Sequence, residues 1–557
     1  MTLHRSQGRS HTMRSVALTT LSLLPAALAY CPPPGALLPP PIIGSASSPP
    51  ASTPAIPESV FAPLRRNDTN FAVRASIGNT TIFSYDFLSP LYNVNNTGLS
   101  DTQFRIASVG KLYTVLAVLL SKNKIGWEDP IRKYVPELRG KVWDDVTISA
   151  LAGQTSGLGR FGFVGDLAVI PGFDPRLLGI PPVNNTHPGC DSFPGAQPCN
   201  YTQVIDMFNH PSQLPHSPNG GPLYSNIAYN LLGMALEKVH SKTYEEVVAD
   251  LILRPLGLTK STFIPPTDPS KAVLPRPGDR WFVPNFENYN PTGGLWSTPT
   301  ELHKFVRAIL DHKLLSPAST RKWLQPRALV PSLHQLVGAP WEILRPTDLN
   351  LTFPRAIDIY TKSGGVDGYA SFGIVIPEFD LAVSINAAGN RSATTAQSLL
   401  GPILSSLIPY ADAAARGRAQ REYVGMYTLP NSNGSSSITF ALDSGPGLLI
   451  TNFTMNNVPV LRSFAALQPG TPSDLQVRVY PTDPDSLDTA KEFWWMNFET
   501  RTQPESFAEF ACSSWLGLDR YRYSRESLDA VGFVRRGGRV VGVELGGWRT
   551  TLGKVGA

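Results

Sequence analysis

The sequence has few charged residues and no block of one sign. Asp, Glu, Lys and Arg make up 16% of the 557 residues, and the formal net charge at pH 7 is +5. Proteins that bind nucleic acid present a basic patch or stripe, and no cluster of Lys and Arg recurs along this chain. We therefore predict that the protein has no nucleic-acid partner.

Long hydrophobic runs are missing after the N-terminal segment. In the rest of the chain, no stretch reaches the ~18 consecutive apolar residues that a membrane-spanning helix needs. At the N-terminus, three arginines precede the apolar segment 16–28, which ends in the small-x-small pattern Ala27-Leu28-Ala29. This arrangement is typical of a secretory signal peptide, and a signal anchor is the alternative. We expect residues 1–29 to be removed and the mature protein to be secreted, with no stable membrane anchor.

Cysteine is also scarce, and the four that are present are expected to form disulfides in a secreted chain rather than a metal site. Cys190 and Cys199 are close together in a loop rich in Pro, Gly and Asn, and a bond between them is worth about 2–3 kcal/mol. By elimination, Cys31 would pair with Cys512 and join the mature N-terminus to the last domain.

Sequons for N-glycosylation support the same secretory route. They occur along both halves of the chain, at Asn67, Asn79, Asn95, Asn184, Asn200, Asn350, Asn390, Asn433 and Asn452.

Length and composition predict two or three folded units. Residues 30–60 are rich in Pro and Ser and are expected to form an extended, solvent-exposed leader. Residues 61–410 contain both strand and helix patterns and are predicted to form one domain, and the charged segment 411–422 is interpreted as a linker or a short connecting helix. Residues 423–557 contain short strand-like pieces separated by turns, typical of an all-β sandwich or barrel.

Within residues 61–410, several local patterns predict individual elements. Residues 71–88 alternate as a β-hairpin, and 394–407 has the pattern of an amphipathic helix. Thr298 or Ser297 would cap a helix, with Glu301 completing a capping box. Residues 159–221 have little periodicity and are interpreted as a long loop, which the proposed Cys190–Cys199 bond would keep ordered as a lid.

The segment 104–124 brings a hydroxyl and an amine together. Ser108 and Lys111 are three residues apart at the start of a run whose apolar residues recur at helical spacing, so both side chains should lie on one helix face. The same S-x-x-K pattern occurs at Ser121/Lys124 and Ser319/Lys322. For those two copies, a helix surface is the simpler interpretation.

Two further motifs follow in order, and each occurs once: Y-x-N at Tyr224/Asn226 and K-S-G at Lys362-Ser363-Gly364. With S-x-x-K they resemble the active-site set of serine beta-lactamases, penicillin-binding transpeptidases and related esterases and D-aminopeptidases. Landmarks over roughly 70–410 occur in the same order, and Tyr-x-Asn resembles the class C and D,D-carboxypeptidase branch. The resemblance implies an α+β fold with an antiparallel sheet and a helical subdomain, to which this chain adds the all-β C-terminal domain.

One landmark departs from the family pattern. Family members often begin the H-T-S-G-L loop with His, and this chain has Gln154 there. Because that loop is structural in the family, the departure concerns packing rather than chemistry.

The resemblance implies that Ser108 is the nucleophile and that Lys111 and Tyr224 transfer its proton during the reaction. A serine hydroxyl needs a neighbouring base, and Lys111 can act only if its pKa falls well below about 10.4. Burial, the helix N-terminus and the nearby charge of Lys362 would all lower it, and Tyr224 should shift toward the phenolate. The two groups would then share one proton. By resemblance, Tyr224 protonates the leaving group and later activates water or an alcohol.

The remaining motif residues are assigned to substrate binding by the same resemblance. Asn226 would bond both the lysine and a substrate amide, while Lys362 and Ser363 would lie on an edge strand where a substrate carboxylate or carbonyl docks. The backbone N–H groups of Ser108 and Gly365 would form an oxyanion hole, in which one donor is worth ~3 kcal/mol.

The sequence therefore predicts a serine hydrolase that forms an acyl-enzyme with a small-molecule or peptide ester or amide. There is no G-x-S-x-G, no H-E-x-x-H and no clustered His/Asp pattern, so we expect neither a metal nor another cofactor. Two alternatives stay open: transfer of the acyl group to an alcohol or amine in secondary metabolism, and a non-catalytic binding protein that uses the same pocket.

Overall fold

The computed structural model describes residues 31–44, 54–66, 68–90, 98–163, 166–169, 172–183, 190, 197–275, 284–432, 434–467, 475–499 and 514–556. The predicted signal peptide, the sequons at Asn67, Asn95, Asn184 and Asn433, and Cys512 lie outside these residues. Within them, no helix combines the length and apolar character needed to cross a bilayer.

An eight-stranded antiparallel sheet forms the centre of the first domain. The hairpin predicted at 71–88 is present as two paired strands on either side of a turn at Gly78 and Asn79. In spatial order, the strands of the sheet are Thr80–Phe87, Thr69–Ile77, Leu381–Gly389, Tyr369–Ile376, Ile359–Val366, Glu342–Leu344, Gln335–Val337 and Ala328–Leu329. The first hairpin therefore pairs with the last strand, which ties the two ends of the domain together.

Helices cover both faces of this sheet, so its central strands Tyr369–Ile376 and Leu381–Gly389 are buried along their whole lengths. The α-helices of the first domain before the last strand are Glu58–Phe61, Gly110–Leu120, Ile148–Ala152, Tyr201–Asn209, Ile227–His240, Tyr244–Val248, Asn290–Gly293, Pro299–Leu310 and Pro317–Leu324. The α+β fold predicted from the motifs is confirmed.

Two local predictions in this domain need correction. Thr298 caps the Pro299–Leu310 helix and accepts from the Glu301 N–H, but the Glu301 carboxylate accepts from the Lys260 N–H and the Ser261 hydroxyl instead of returning to the cap. Only half of the capping box therefore forms. The predicted loop 159–221 contains the Tyr201–Asn209 helix, whose own capping box is made by Asn200 and Gln203.

One helix, Ser392–Glu422, connects the two domains. Of the two interpretations of 411–422, a linker or a short connecting helix, the structure has the helix, as the last part of this longer one. The long helix continues through Pro402 and Pro409 because its apolar face stays covered along its length. Its first turns pack in the core beneath the sheet, and Ala419 belongs to the core of the second domain. Tertiary burial thus extends the helix beyond the predicted end at 407.

The second domain is a closed antiparallel barrel, which settles the choice between sandwich and barrel. Eight of the nine strands of its sheet form the ring and are, in order, Ser437–Ala441, Gly425–Thr428, Thr550–Lys554, Arg539–Leu545, Ala530–Arg536, Lys491–Glu499, Gln476–Pro481 and Leu448–Met455. Pairing between the first and last of these strands closes the ring. The ninth strand, Val458–Pro459, pairs with one end of Leu448–Met455. Apolar and aromatic side chains such as Tyr427, Phe440 and Phe533 fill the interior.

Two details of the second domain differ from the sequence pattern. The helix Val460–Leu467 packs against the barrel where no helix was predicted. One of the strand-like pieces of this domain is 508–516; its residues 508–513 lie outside the described part of the chain, and Ser514–Leu516 forms a 3₁₀ turn.

Most of the leader segment 31–44 is buried or half-buried, contrary to the prediction, and only Pro34, Gly35, Ile42 and Gly44 within it are exposed. Leu37 and Leu38 are buried between the domains. Carbonyl oxygens of this segment accept hydrogen bonds from side chains outside it: Arg418 donates to the Pro40 oxygen at 2.7 Å, and Asn497 donates to the Cys31 oxygen at 3.3 Å. The leader therefore fastens the barrel to the long helix.

The disulfide between Cys190 and Cys199 is present, with 4.7 Å between the two Cα atoms, and this prediction is confirmed. Cys31 is also disulfide-bonded, and its predicted partner Cys512 lies outside the described residues. The sequon asparagines that are described all lie exposed on the surface, namely Asn79, Asn200, Asn350, Asn390 and Asn452. Their glycosylation stays a prediction.

Candidate active site

Ser108 and Lys111 lie one turn apart, as their spacing predicts. A 3₁₀ turn, Ala107–Val109, leads into the Gly110–Leu120 helix, and the Lys111 Nζ lies 2.9 Å from the Ser108 Oγ. Ala107 has a φ of 46°, in the left-handed region that residues with a Cβ rarely adopt. The chain therefore turns sharply just before the serine, which presents Ser108 at the end of the helix.

A strand of the sheet passes directly beside this turn. Gly364 belongs to the strand Ile359–Val366, and a Cβ at this position would overlap the Ile106 carbonyl oxygen and lie 3.0 Å from the Ser108 nitrogen. Only glycine allows the K-S-G strand and the serine turn to approach so closely.

We expect Gly364→Ala to lower the free energy of unfolding by about 3 kcal/mol, because the clash is with backbone atoms that cannot rotate away. Gly365→Ala is the matched control, since a Cβ there meets nothing within 4 Å. Urea denaturation followed by tryptophan fluorescence measures both. Equal stability of the two variants would contradict the close approach.

Tyr224 and Asn226 reach the same point from the segment before the Ile227–His240 helix. The Tyr224 hydroxyl donates to the Ser108 Oγ at 2.9 Å, while Lys111 donates to the Asn226 Oδ1 at 2.8 Å and to the Thr292 carbonyl oxygen at 2.6 Å. The last two atoms can only accept. When Lys111 is neutral, its two N–H groups therefore donate to the Asn226 Oδ1 and the Thr292 oxygen. The lone pair on its nitrogen then faces Ser108.

The surroundings lower the pKa of both Lys111 and Tyr224. The pKa of Lys111 is lowered to about 8. Complete burial is the main cause, the charge of Lys362 lowers the pKa further, and Tyr224 opposes both effects. For Tyr224, burial alone would raise the pKa, but the positive charges of Lys111 and Lys362 outweigh it and lower the pKa to about 8. The two groups thus titrate together near neutral pH.

Lys362 is paired with a carboxylate that the sequence motifs did not indicate. Its Nζ lies 2.5 Å from the Glu342 Oε1, and Glu342 also accepts from the Ser363 N–H at 2.8 Å and the Ser363 hydroxyl at 2.9 Å. Burial works against the charged form, yet Glu342 and Tyr224 raise the pKa of Lys362. Glu342 is twenty residues from the motif, and only the pairing of neighbouring strands brings it close.

Two clefts meet at Ser108 and Tyr224. One, of about 700 Å³, has a largely apolar wall that includes Phe161, Ile227 and Phe286. The other, of about 710 Å³, is polar and contains Glu342 and Ser363. Arg160 and Gly365 line both clefts.

Arg160 is a second residue that motif reading missed. Its guanidinium carbon lies 5.1 Å from the centroid of the Tyr224 ring, and its carbonyl oxygen accepts from the Asn226 N–H at 2.8 Å. Arg160 directly follows the Q-T-S-G-L-G segment. Its position next to this family landmark could have indicated from the sequence that it lies near the site. The departure at Gln154 concerns packing, as expected: its buried Oε1 accepts from the Ser225 N–H at 2.6 Å and anchors the chain beside Tyr224.

The other two S-x-x-K copies lie away from these clefts. Ser319 is partly exposed on the Pro317–Leu324 helix, as predicted. Ser121 is instead buried, contrary to the prediction of a helix surface, and its hydroxyl donates to the Ala117 carbonyl oxygen at 2.8 Å.

The sequence matches known families along both domains. A family model described as "Beta-lactamase" matches residues 93–405, and one described as "Beta-lactamase-like-like, C-terminal domain" matches residues 415–556. A "Beta-lactamase-like protein" of Arthroderma benhamiae is 31% identical over 493 residues, which cover 81% of this chain and 81% of the relative.

Two further similarities are more distant. A "Probable hydrolase clz13" of Cochliobolus lunatus is 28% identical over 535 residues, covering 87% of this chain and 85% of the relative. A solved class C beta-lactamase from Rhodobacter sphaeroides is 17% identical, with a TM-score of 0.49 over 63% of this chain and 98% of that chain.

Proposed function

Because the chain belongs to the beta-lactamase family, we propose that it is a serine hydrolase that cleaves a small-molecule or peptide ester or amide through an acyl-enzyme on Ser108. That the chain is a hydrolase of this family is supported by its hydrolase relatives. The observation that carries the serine mechanism is the position of the Lys111 Nζ. The Asn226 Oδ1 and the Thr292 carbonyl oxygen, which this nitrogen also contacts, can only accept hydrogen bonds. The lone pair of the neutral Lys111 amine therefore faces the Ser108 hydroxyl.

Acylation begins when Lys111 takes the Ser108 proton. The Ser108 Oγ then forms a bond to the substrate carbonyl carbon, and the carbonyl oxygen becomes an oxyanion that accepts from the N–H groups of Ser108 and Gly365. Gly365 is suited to this role because it is exposed in both clefts. The tetrahedral intermediate collapses as the bond to the leaving group breaks, and Tyr224 donates a proton to that group.

Deacylation reverses the proton flow. The Tyr224 oxygen, now a phenolate, takes a proton from water, whose oxygen bonds to the acyl carbon while the bond to the Ser108 Oγ breaks. The serine oxygen regains its proton from Lys111, and the acid product leaves. The pKa of about 8 for both Lys111 and Tyr224 supports this exchange, because neither group is locked in one protonation state near neutral pH.

The proposal includes an extracellular location after removal of residues 1–29. The Cys190–Cys199 disulfide and the exposed sequon asparagines support it, because both modifications belong to the secretory route. The expected partner is the substrate alone, with neither nucleic acid nor a membrane anchor.

Covalent labelling tests the proposed nucleophile. A fluorophosphonate probe should form a stable adduct with the folded protein, and peptide mass mapping should place the adduct on Ser108 and on neither Ser121 nor Ser319. Prior denaturation should abolish the labelling, since the environment of Lys111 would be lost. A folded protein that takes no label would instead favour a binding protein without turnover.

A further inference from the structure

We infer that Glu342 selects against substrates whose leaving group carries a carboxylate, so that the protein prefers neutral or cationic leaving groups. The inference rests on the proposed function, because it names the class of substrate that the Ser108 site accepts.

The donors at the Lys362-Ser363 edge are already occupied by a carboxylate of the chain itself. The Lys362 Nζ, the Ser363 N–H and the Ser363 hydroxyl all donate to Glu342, at 2.5, 2.8 and 2.9 Å. These are the groups at which the family resemblance places a substrate carboxylate or carbonyl. In this chain, Glu342 takes the place that a substrate anion would take.

An arriving carboxylate would meet an unfavourable choice. If it displaced Glu342, it would have to break a pair whose lysine side chain is only 1% exposed, and a buried charge that loses its partner is costly. If it instead lay beside Glu342, the two carboxylates would repel each other. They would be close, because 28% of the Glu342 side chain is exposed in this cleft. A neutral amide or an ammonium group meets neither obstacle, and Glu342 retains acceptor capacity for its N–H groups.

Arg160 is the other charged residue that lines this polar cleft. Its guanidinium lies against the Tyr224 ring, with the guanidinium carbon 5.1 Å from the ring centroid, and its side chain is exposed. It attracts anions through the solvent-filled cleft, whereas Glu342 acts by direct contact at the docking donors. Salt should separate the two effects, because exposed charges are screened more strongly than partly buried pairs.

The test compares two esters with the same acyl group, meta-carboxyphenyl butyrate and meta-carbamoylphenyl butyrate, which differ in the charge of the leaving group. We expect the wild-type protein to favour the neutral ester in kcat/KM by about tenfold or more. Glu342→Gln removes the charge, and Glu342→Ala also frees the three donors. Both should shift the ratio of the two kcat/KM values toward the carboxylate ester by about tenfold or more, and the alanine variant further.

Arg160→Gln is the matched charge control. It should shift the same ratio in the opposite direction, and its effect should fade at high salt, while that of Glu342→Ala should persist. The ratio isolates specificity, because a change in Tyr224 or Lys362 that slows chemistry acts on both esters. If the Glu342 variants did not fold, the wild-type ratio would still decide.

Wild-type preference for the carboxylate ester, or an unchanged ratio in folded Glu342 variants, would overturn the inference and leave the proposed function standing. Hydrolysis of neither ester above the rate of Ser108→Ala would overturn both.

Discussion

Ser108→Ala is expected to lower kcat/KM for ester hydrolysis by about 10⁵-fold, the largest effect of any single substitution in this chain. The loss is this large because the acyl-enzyme cannot form, and groups that act as a unit with the nucleophile cannot compensate for its absence. Steady-state hydrolysis of meta-carbamoylphenyl butyrate measures the loss. Circular dichroism should show an unchanged fold, because Ser108 is only partly buried at the cleft.

Ser319→Ala is the matched control for this substitution. Ser319 heads another S-x-x-K pattern, but it lies on the Pro317–Leu324 helix away from both clefts, where its side chain accepts from Ser316. We expect its activity to equal that of the wild-type protein. Residual hydrolysis by Ser108→Ala at more than about one hundredth of the wild-type rate would mean that another group is the nucleophile.

Lys111→Met is expected to slow acylation of Ser108 by about 10³–10⁴-fold, near the upper end of what general base catalysis contributes. Methionine keeps the apolar stem but removes the lone pair that faces the serine and the donors to Asn226 and Thr292. Rates of fluorophosphonate labelling report acylation directly. Lys322→Met, in the exposed copy of the motif, should label at the wild-type rate.

The pH profile separates a base from a packing role. In the wild-type protein, acylation should rise with pH and reach a plateau above about 8, since the reactive form has lost one of the two protons that Lys111 and Tyr224 bind at low pH and keeps the other on Tyr224. In Lys111→Met, Tyr224 loses a positive neighbour, so its pKa rises and any remaining rate should climb only at higher pH. An unchanged profile, or a loss of less than about tenfold, would contradict the assignment of Lys111 as base.

The order of three short motifs was enough to identify the family. The resemblance drawn from Ser108/Lys111, Tyr224/Asn226 and Lys362-Ser363-Gly364 is confirmed by the family match over residues 93–405. The structure then places all of these segments around one point, although they are separated by more than a hundred residues. The catalytic roles assigned to them stay proposals until the variants are measured.

Local pattern was reliable where neighbouring residues decide the structure, and unreliable where distant packing does. The hairpin at 71–88 and the Thr298 cap of the Pro299–Leu310 helix follow from alternation and local capping residues. The long Ser392–Glu422 helix does not, because its continuation through two prolines depends on burial against both domains. The packed leader likewise depends on partners such as Arg418, which lies almost four hundred residues away.

The sequence by itself determined which residues are proposed to carry the chemistry, because a hydroxyl and an amine one helical turn apart must share a face, and because the later motifs occur once and in order. Only the tertiary structure decided their charge states and their accessibility. The pKa of Lys111 depends on complete burial and on the charge of Lys362 across the site, and the docking edge is filled by Glu342 from the neighbouring strand. Electrostatic interactions depend on distance in space, which the order of residues does not give.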